Sequence, residues 1–466
     1  MKEKEPRVLL IKSYRKDGPD TITQPLGLMY LAASVRNQWP GAALRIVDMR
    51  LEPLRADDML RSFRPDTVGI SALTVEADAM HQAAAELRRE GFEGLIIAGG
   101  PHVSSFTFDV MQDGNIDLAV VGEGENTIVE ILERRKAAQP LFDIPGTAFR
   151  RNGQIHIAEP RAFMENLDDI PWPAWNLTDI AAYSSRNRFS NMARRRYMAV
   201  LTSRGCPFHC IFCHKIHGKK VRGRSAKDVL NEMERLHAVH GIEEVEIIDD
   251  FFNYDLTRVQ EIFRGIRERG MKVRVAFPNA LRGDRLDGET LRIMREGGTY
   301  FAGFAVETAS PRLQKMIRKH INLKKLRTAV EDAVKEGIFC QGFFMLGFPT
   351  ETRDEMLQTI EFAASLPLHL ATFSLVIPYR GTEIYEMASS LGKRTDYDYG
   401  DLSITGGANI SELSDEELRA IARLANRRFY LRPGQIWRLL RKHPNRRDMV
   451  RYAVSFARRA FGSGDR

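Results

Sequence analysis

The 466-residue sequence predicts an α/β protein: an N-terminal doubly wound parallel-sheet domain, then a partial (β/α)6 TIM-type barrel, then a helical C-terminal segment. Three observations predict it. Short apolar runs alternate with helical stretches twice along the chain, over residues 8–131 and again over 197–377. A Pro- and Trp-rich stretch, Leu167-Asp-Asp-Ile-Pro-Trp-Pro-Ala-Trp175, lies between the two series. Composition then changes toward the C-terminus, where positive charge concentrates. The limits that follow are a first domain over 1–140, a linker over 141–190, the barrel over 191–390 and a basic helical region over 391–466.

In the first series the candidate strands are Val8–Lys12, Leu44–Asp48, Thr67–Ser71, Leu95–Gly99 and Leu118–Gly122, with helical periodicity at Gly27–Arg36 and Ala77–Arg89 between them. Runs apolar on both faces are what a parallel sheet covered by helices requires. Glycine-bearing turns follow two of these strands, at Gly99-Gly100-Pro101-His102 and Gly122-Glu123-Gly124-Glu125. Ligands of open α/β sheets bind at the carboxyl ends of strands, so these loops form the expected site. Neither is a G-x-G-x-x-G turn, which disfavours a nicotinamide nucleotide.

The second series places strands at Tyr197–Thr202, Val245–Asp249, Val273–Phe277, Phe301–Val306, Cys340–Leu346 and Thr372–Ile377. Ser225 with Asp228 reads as a capping box, and Asp255 as the cap of a helix over Leu256–Arg267. Six strands with helical crossovers imply a partial barrel with its chemistry at the carboxyl ends. Ser414-Asp-Glu-Glu417 opens a further helix to about Tyr430, and amphipathic helices are expected over Pro433–Lys442 and Asp448–Phe461.

Hydrophobic residues at 43% and charged residues at 28% describe a globular chain able to bury sizeable cores. Its net charge of +8 is unevenly spread. From Arg419 to Arg466 there are fourteen Lys and Arg against two Asp and Glu, a local balance of +12 that leaves −4 for the rest. A solvated basic face is one reading of that tail. Peripheral contact with a membrane, or with an amphiphilic substrate, is another. Nucleic-acid binding is not expected, because no recognition motif accompanies the charge. Four cysteines exclude a secreted disulfide scaffold, the N-terminus lacks signal-peptide character, and no apolar run approaches a membrane span. A reducing, cytoplasmic setting follows as the expectation.

Three of those cysteines fall within eight residues, as Cys206-Pro-Phe-His-Cys210-Ile-Phe-Cys213, directly after the first strand of the second series. Thiolates are soft ligands suited to zinc, copper(I) or iron–sulfur clusters. A closed zinc site would need a fourth donor, for which His209 and His214 are candidates. Three thiolates from one loop can instead hold three corners of a [4Fe–4S] cube and leave one iron open.

The run Thr202-Ser-Arg-Gly-Cys-Pro-Phe-His-Cys-Ile-Phe-Cys213 resembles the cluster loop of radical S-adenosylmethionine (SAM) enzymes, including the aromatic Phe212 before the last cysteine. Gln24-Pro-Leu-Gly-Leu-Met-Tyr-Leu31, Gly99-Gly-Pro-His102 and Val121-Gly-Glu-Gly-Glu125 resemble the cobalamin (B12)-binding domain that precedes the barrel in part of that family. The resemblance covers about residues 7–390. It implies that Cys206, Cys210 and Cys213 ligate a [4Fe–4S] cluster and that Glu307, ending the fourth strand, accepts the ribose hydroxyls of SAM. The stretch Gly342–Glu351 resembles the motif whose backbone approaches the adenine, which brings in Gly342 and Gly347. Arg222, in Arg222-Gly-Arg-Ser225, joins the SAM-binding set, and Asp249-Asp250-x-Phe252 and Pro378-Tyr-Arg-Gly-Thr382 also match. Cobalamin would be held by loops around Ser71–Thr74, Gly99, Gly100, His102, Gly122 and Glu123. One departure stands: the D-x-H-x-x-G motif that supplies a cobalt-ligating histidine in many B12 proteins is absent.

What the resemblance implies is a C-methyltransferase acting at an unactivated carbon through a 5′-deoxyadenosyl radical and methylcobalamin. Its substrate would be a small or lipid-like molecule, and its electrons would come from an external donor such as flavodoxin or ferredoxin. An oxidative cyclase or rearrangement enzyme is the alternative within the class, and a zinc- or cobalamin-binding regulatory module without turnover the alternative outside it. Cys340, alone at the start of a strand, reads as a small buried core residue.

Overall fold

The computed structural model describes residues 5–15, 23–185, 196–214, 216–395, 397 and 408–444, with Val454, Ala457 and Ala460 beyond them. The chain divides into two compact units: Met1–Arg188 with Ile216–Gly218, and Phe189–Lys215 with Lys219–Arg466.

The first unit is built on a seven-stranded sheet. Strands β1 (Arg7–Lys12), β2 (Ala43–Asp48), β3 (Thr67–Ser71), β4 (Leu95–Gly99) and β5 (Leu118–Val120) carry almost continuous apolar runs, and β6 (Thr147–Arg151) and β7 (Gln154–Ile157) follow. The order is β2-β1-β3-β4-β5-β6-β7, parallel as far as β5 and antiparallel from there. Val8, Leu9, Leu10 and Ile11 are fully enclosed, as a central strand covered on both faces must be. Helices over Leu26–Gln38, Ala77–Arg89 and Glu125–Lys136 are among the crossovers, the second with the limits read from the sequence. The β6–β7 hairpin lies within 141–190, read above as linker. Its turn, with Asn152 at φ 51° and Gly153 at φ 78°, has both central residues left-handed, the geometry whose twist matches a tight hairpin.

The second unit bears out the partial barrel. Strands β8 (Tyr197–Val200), β11 (Glu244–Ile247), β12 (Arg274–Leu281), β13 (Thr299–Glu307), β14 (Phe339–Leu346) and β15 (Leu370–Leu375) form one parallel sheet in chain order. Between β8 and β11, the short strands β9 (Ser203–Arg204) and β10 (Arg222–Gly223) pair antiparallel and close the base of the cysteine loop. Helix starts follow the expected chemistry. Ser225 accepts from the Asp228 amide, and Asp255 from those of Thr257 and Arg258. Ser414 and Glu417 form a reciprocal capping box for the helix Asp415–Tyr430.

That helix covers the open edge of the sheet. The Tyr430 hydroxyl accepts from the Ala371 amide at 3.0 Å and donates to the Ala371 carbonyl at 2.8 Å, occupying backbone groups of the edge strand β15. Helix Pro433–Lys442 has the limits read from the sequence. The expected helix Asp448–Phe461 falls largely outside the described residues. No helix among the described residues is long and apolar enough to cross a membrane. Replacing Tyr430 by Phe should lower stability by about 1 kcal/mol, from the two lost bonds. A melting curve should shift down by about 2–4 °C, with iron and cobalamin content unchanged.

Candidate functional site

In the second unit the site grows from the exit of β8. Thr202 and Ser203 are fully buried, and their amide and hydroxyls need partners where no helix or strand supplies them. Asp249, following β11, provides them. One oxygen accepts from the Thr202 amide and the other from both hydroxyls, each at 2.6 Å. Asp250 accepts from the Gly205 amide at 3.1 Å, where the chain turns through φ 90° into the cysteine loop. Arg258 donates to the carbonyls of Thr202 and Arg224, and the Arg224 guanidinium pairs with Asp228 and the buried Glu232. Arg222 is buried on the ladder that closes the loop.

Beyond that base the loop is fastened at Ile211. Its amide donates to the Ile317 carbonyl and its carbonyl accepts from the Ile384 amide. Ile211 belongs to an apolar cluster with Leu313, Ile317, Phe348, Val376 and Ile384, so the loop sits on packed side chains. Cys210 is buried, Cys206 half-buried and Cys213 exposed. Burial raises the Cys206 and Cys210 thiols, and for both the strongest opposing charge is Lys319. Among the described residues no three His, Cys, Asp or Glu side chains converge on one ion-sized point. His209 is exposed, and His214 lies against the Tyr379 ring. Three neighbouring thiols from one loop, with basic charge beside them, are a donor set that fits a [4Fe–4S] cluster.

Glu307 ends β13 with φ 65°, a left-handed backbone that costs a residue with a Cβ about 1–3 kcal/mol and is retained where surroundings enforce it. A register break against β14 falls at the same place. The buried carboxylate accepts from Lys319 at 2.8 Å, and that pair raises the Lys319 amine against its burial. Lys319 also lies over the Phe212 ring at 5.9 Å. Arg282, after β12, lies over the Phe208 ring at 3.7 Å, pairs with Asp284 and donates to the Lys319 and His320 carbonyls. Each aromatic residue of the cysteine loop therefore carries a cation on its face. Sequence reading missed both cations, and nothing in the sequence separates them from 67 other Lys and Arg residues.

Gly342 and Gly347 have different reasons to be glycine. A Cβ on Gly342 would lie 2.6 Å from Leu368 and 2.7 Å from Phe344, so side-chain packing alone demands its absence. Gly347 turns with φ 89°, and its amide and that of Phe348 donate to Glu351 at 2.6 and 3.0 Å. Burial raises the Glu351 carboxyl to about 8 against those two donors, and its second oxygen is enclosed without a hydrogen-bond partner. Cys340 stands apart from this site, its amide donating to His369 and its fully buried thiol to the Ile338 carbonyl.

The first unit gathers the other sequence-predicted residues at the carboxyl ends of β3, β4 and β5. Ser71 ends β3, and its carbonyl accepts from the Ser13 amide and hydroxyl. Thr74 opens the turn that leads to Glu76, which accepts from the Leu73 amide and pairs with buried Lys12 at the end of β1. Gly99 ends β4, and Gly100 follows with φ 94°. A Cβ there would lie 2.6 Å from the Ser71 hydroxyl, so only glycine lets the two loops meet. His102 stacks on Phe106 with ring centroids 4.8 Å apart. Burial lowers it to about 4, keeping the ring neutral, and its Nδ1 is enclosed without a partner. Gly122 donates to Ser104, and Glu123 accepts from the Met164 amide. Bare glycine backbone and an unsatisfied neutral imidazole at the ends of parallel strands fit a large, flat cofactor at this rim.

A barrel with a three-cysteine loop at its catalytic face, in one chain with such a sheet, defines a radical SAM enzyme with a B12-binding domain. Models of the radical SAM superfamily and of the B12 binding domain match residues 200–363 and 19–132. The chain is 33% identical over 423 residues to an uncharacterized methyltransferase of Pyrococcus horikoshii, covering 89% of each. It is 29% identical over 465 residues to cytidylyl-2-hydroxyethylphosphonate methyltransferase of Streptomyces wedmorensis, covering 86% of each. Among solved structures it superposes on the radical SAM methyltransferase TsrM of Kitasatospora setae, determined with tryptophan substrate and a SAM analogue, with a TM-score of 0.69 and 18% identity. That match covers 82% of this chain and 76% of the other. The chain belongs to the cobalamin-dependent radical SAM family, whose cofactors are a [4Fe–4S] cluster, SAM and cobalamin.

Glu351 yields a pH signature. Its carboxyl is protonated in the fold up to about pH 8 but ionises near 4.5 in the unfolded chain. The folded state therefore holds the extra proton between those values, and stability falls as pH rises through them. Glu351→Gln should flatten this decline by on the order of 3 kcal/mol. Melting curves at pH 5 and pH 8.5 should converge by several degrees relative to the parent protein.

Proposed function

We propose that the protein is a radical SAM C-methyltransferase that places a methyl group on an unactivated carbon of a small or lipid-like molecule. The observation that carries this reading is the three-thiol loop clamped by Asp249 and Asp250 at the carboxyl face of a six-stranded barrel, beside the buried, backbone-strained Glu307. Cys206, Cys210 and Cys213 would hold the cluster. Glu307 would accept the ribose hydroxyls of SAM, with Lys319 fixing the position of its carboxylate. The Gly347 turn, with Arg222 supporting the loop base, would bring backbone close to the nucleoside. In the first unit, Ser71, Thr74, Gly99, Gly100, His102, Gly122 and Glu123 would line the cobalamin site.

When bound, these cofactors supply a carbon-centred radical by one-electron cleavage of SAM and a methyl group carried on cobalt. The protein's own contribution is to fix the loop, to orient SAM through Glu307 and to keep water from the reacting centre. Reducing electrons would arrive from an external donor such as flavodoxin or ferredoxin. The methyltransferase named among the 29%-identical relatives supports methyl transfer over cyclisation.

A triple Cys206→Ala, Cys210→Ala, Cys213→Ala variant, purified anaerobically, should lose sulfide and the release of 5′-deoxyadenosine while retaining cobalamin. One zinc per parent chain with no sulfide would overturn the cluster assignment. With methyl-labelled SAM, label should appear on the bound cobalamin of the reduced parent protein. A cobalamin that never takes up label would favour the cyclase alternative. Glu307→Gln should weaken SAM binding at least tenfold by equilibrium dialysis, with iron content retained.

A further inference from the structure

The helix Pro433–Lys442 is oriented against the usual rule. An amphipathic helix on a globular domain turns its apolar stripe inward. Here the inward residues are largely polar. Gln435 is buried and donates to the His369 carbonyl at 2.6 Å, and Arg438 donates to the Leu368 carbonyl at 3.1 Å. Leu439 alone adds apolar packing, against the cluster of Ala276, Tyr300, Phe301 and Phe339. The stripe at helical spacing, Pro433, Ile436, Trp437 and Leu440, faces solvent. Ile436 is 44% exposed, Trp437 64% and Leu440 47%, and Leu431 on the preceding turn is 47% exposed.

Along the chain the charge near this stripe has one sign, although Arg428 on the preceding helix pairs with Glu361. From Arg427 to Pro444 the sequence holds six Arg and Lys and no Asp or Glu, and Arg441 and Lys442 are exposed at the end of the helix. A second copy of the chain would set these cations against their like, so self-association on this face is disfavoured. A convex stripe of three large apolar side chains, tryptophan central and arginine and lysine at its margin, suits the headgroup boundary of an anionic bilayer.

We propose that the helix Pro433–Lys442 is a membrane-surface docking element. Ile436, Trp437 and Leu440 enter the interface of an anionic bilayer, while Arg441 and Lys442 meet lipid phosphates. Gln435 and Arg438 hold the helix on the barrel in that orientation. Ten residues give weak, reversible attachment that falls with ionic strength.

The test is co-sedimentation of the full-length holoprotein, kept anaerobic, with phosphatidylglycerol or phosphatidylcholine vesicles. We expect at least tenfold more protein on the anionic vesicles at low salt, most of it released at 0.5 M salt. The triple Ile436→Ser, Trp437→Ser, Leu440→Ser variant should bind at least fivefold less, and Arg441→Gln with Lys442→Gln severalfold less. A blue shift of tryptophan emission on vesicle binding should vanish in Trp437→Phe. These side chains are exposed, so far-ultraviolet dichroism and cofactor content should match the parent. Equal binding to both vesicle types, or anionic binding undiminished in the triple variant, would overturn the proposal. So would a concentration-dependent dimer that the triple variant abolishes, since it would assign the stripe to a second copy.

Discussion

The second unit depends on Asp249. The cysteine loop cannot satisfy its own base with regular structure alone, and Thr202 and Ser203 enter it completely buried. One carboxylate meets three of their donors at once, and Arg258 answers the carboxylate while bonding the Thr202 carbonyl. Each such hydrogen bond is worth about 0.5–1.5 kcal/mol, and a donor left buried without it would cost about 1–3 kcal/mol. Asp249 therefore decides where Cys206 starts. The neighbouring Asp250 aims the first turn through Gly205, and Ile211 anchors the far side to the strand-end segments. The backbone is thus held from three sides, and the Cys210 thiol adds a contact to the Arg318 carbonyl.

Two cations complete that arrangement in an environment where charge is strongly felt. Arg282 directly follows β12 and Lys319 follows the helix Pro311–Met316 beyond β13, and they cover Phe208 and Phe212, the phenylalanines interleaved with the cysteines. Neither cation is left to itself, since Asp284 answers one and Glu307 the other. Removing one partner of a buried pair leaves an uncompensated charge and costs several kcal/mol, so Lys319 and Glu307 fix each other's position. The carboxylate proposed to meet the ribose is thus pointed by the same lysine that faces the thiols. On the proposed assignment, the SAM-binding carboxylate and the cysteine loop share this one lysine.

Much of this was legible in the residues, for reasons of pattern. Every strand read from apolar runs is present, because buried parallel strands leave little room for polar residues. The capping box at Ser414 and the N-cap at Ser225 were legible because a side chain three residues away satisfies an orphaned amide; at Ser225 the reciprocal half of the expected box is missing, since Asp228 turns to Arg224. The β6–β7 hairpin escaped because its strands are short, arginine-bearing and half exposed, although the Asn152-Gly153 turn was a signal strong enough to find it. Gly342 could be read from the sequence either toward the ligand or as a packing glycine, and a Cβ there would press on Leu368 and Phe344. Lys319 and Arg282 had no signal at all. Their role comes from where strands end in space, which no local spacing encodes.

The chain uses positive charge in two physically different ways. At the cysteine loop, Arg282 is buried, Lys319 is half-buried and each cation is matched by a carboxylate, so their fields act over short distances with little screening. At the C-terminus the cations are numerous and outnumber acids in sequence, Arg427, Arg428, Arg441 and Lys442 are exposed, and the rest of the chain carries −4. Salt would barely touch the first set and would screen the second within about 10 Å at 0.1 M. Such a division keeps the chemistry of the barrel insensitive to surroundings that the tail is built to sense. It also explains why the helix Pro433–Lys442 spends Gln435 and Arg438 on the barrel. Polar groups that reach the carbonyls of His369 and Leu368 secure the helix without its apolar stripe, and that stripe is left facing outward.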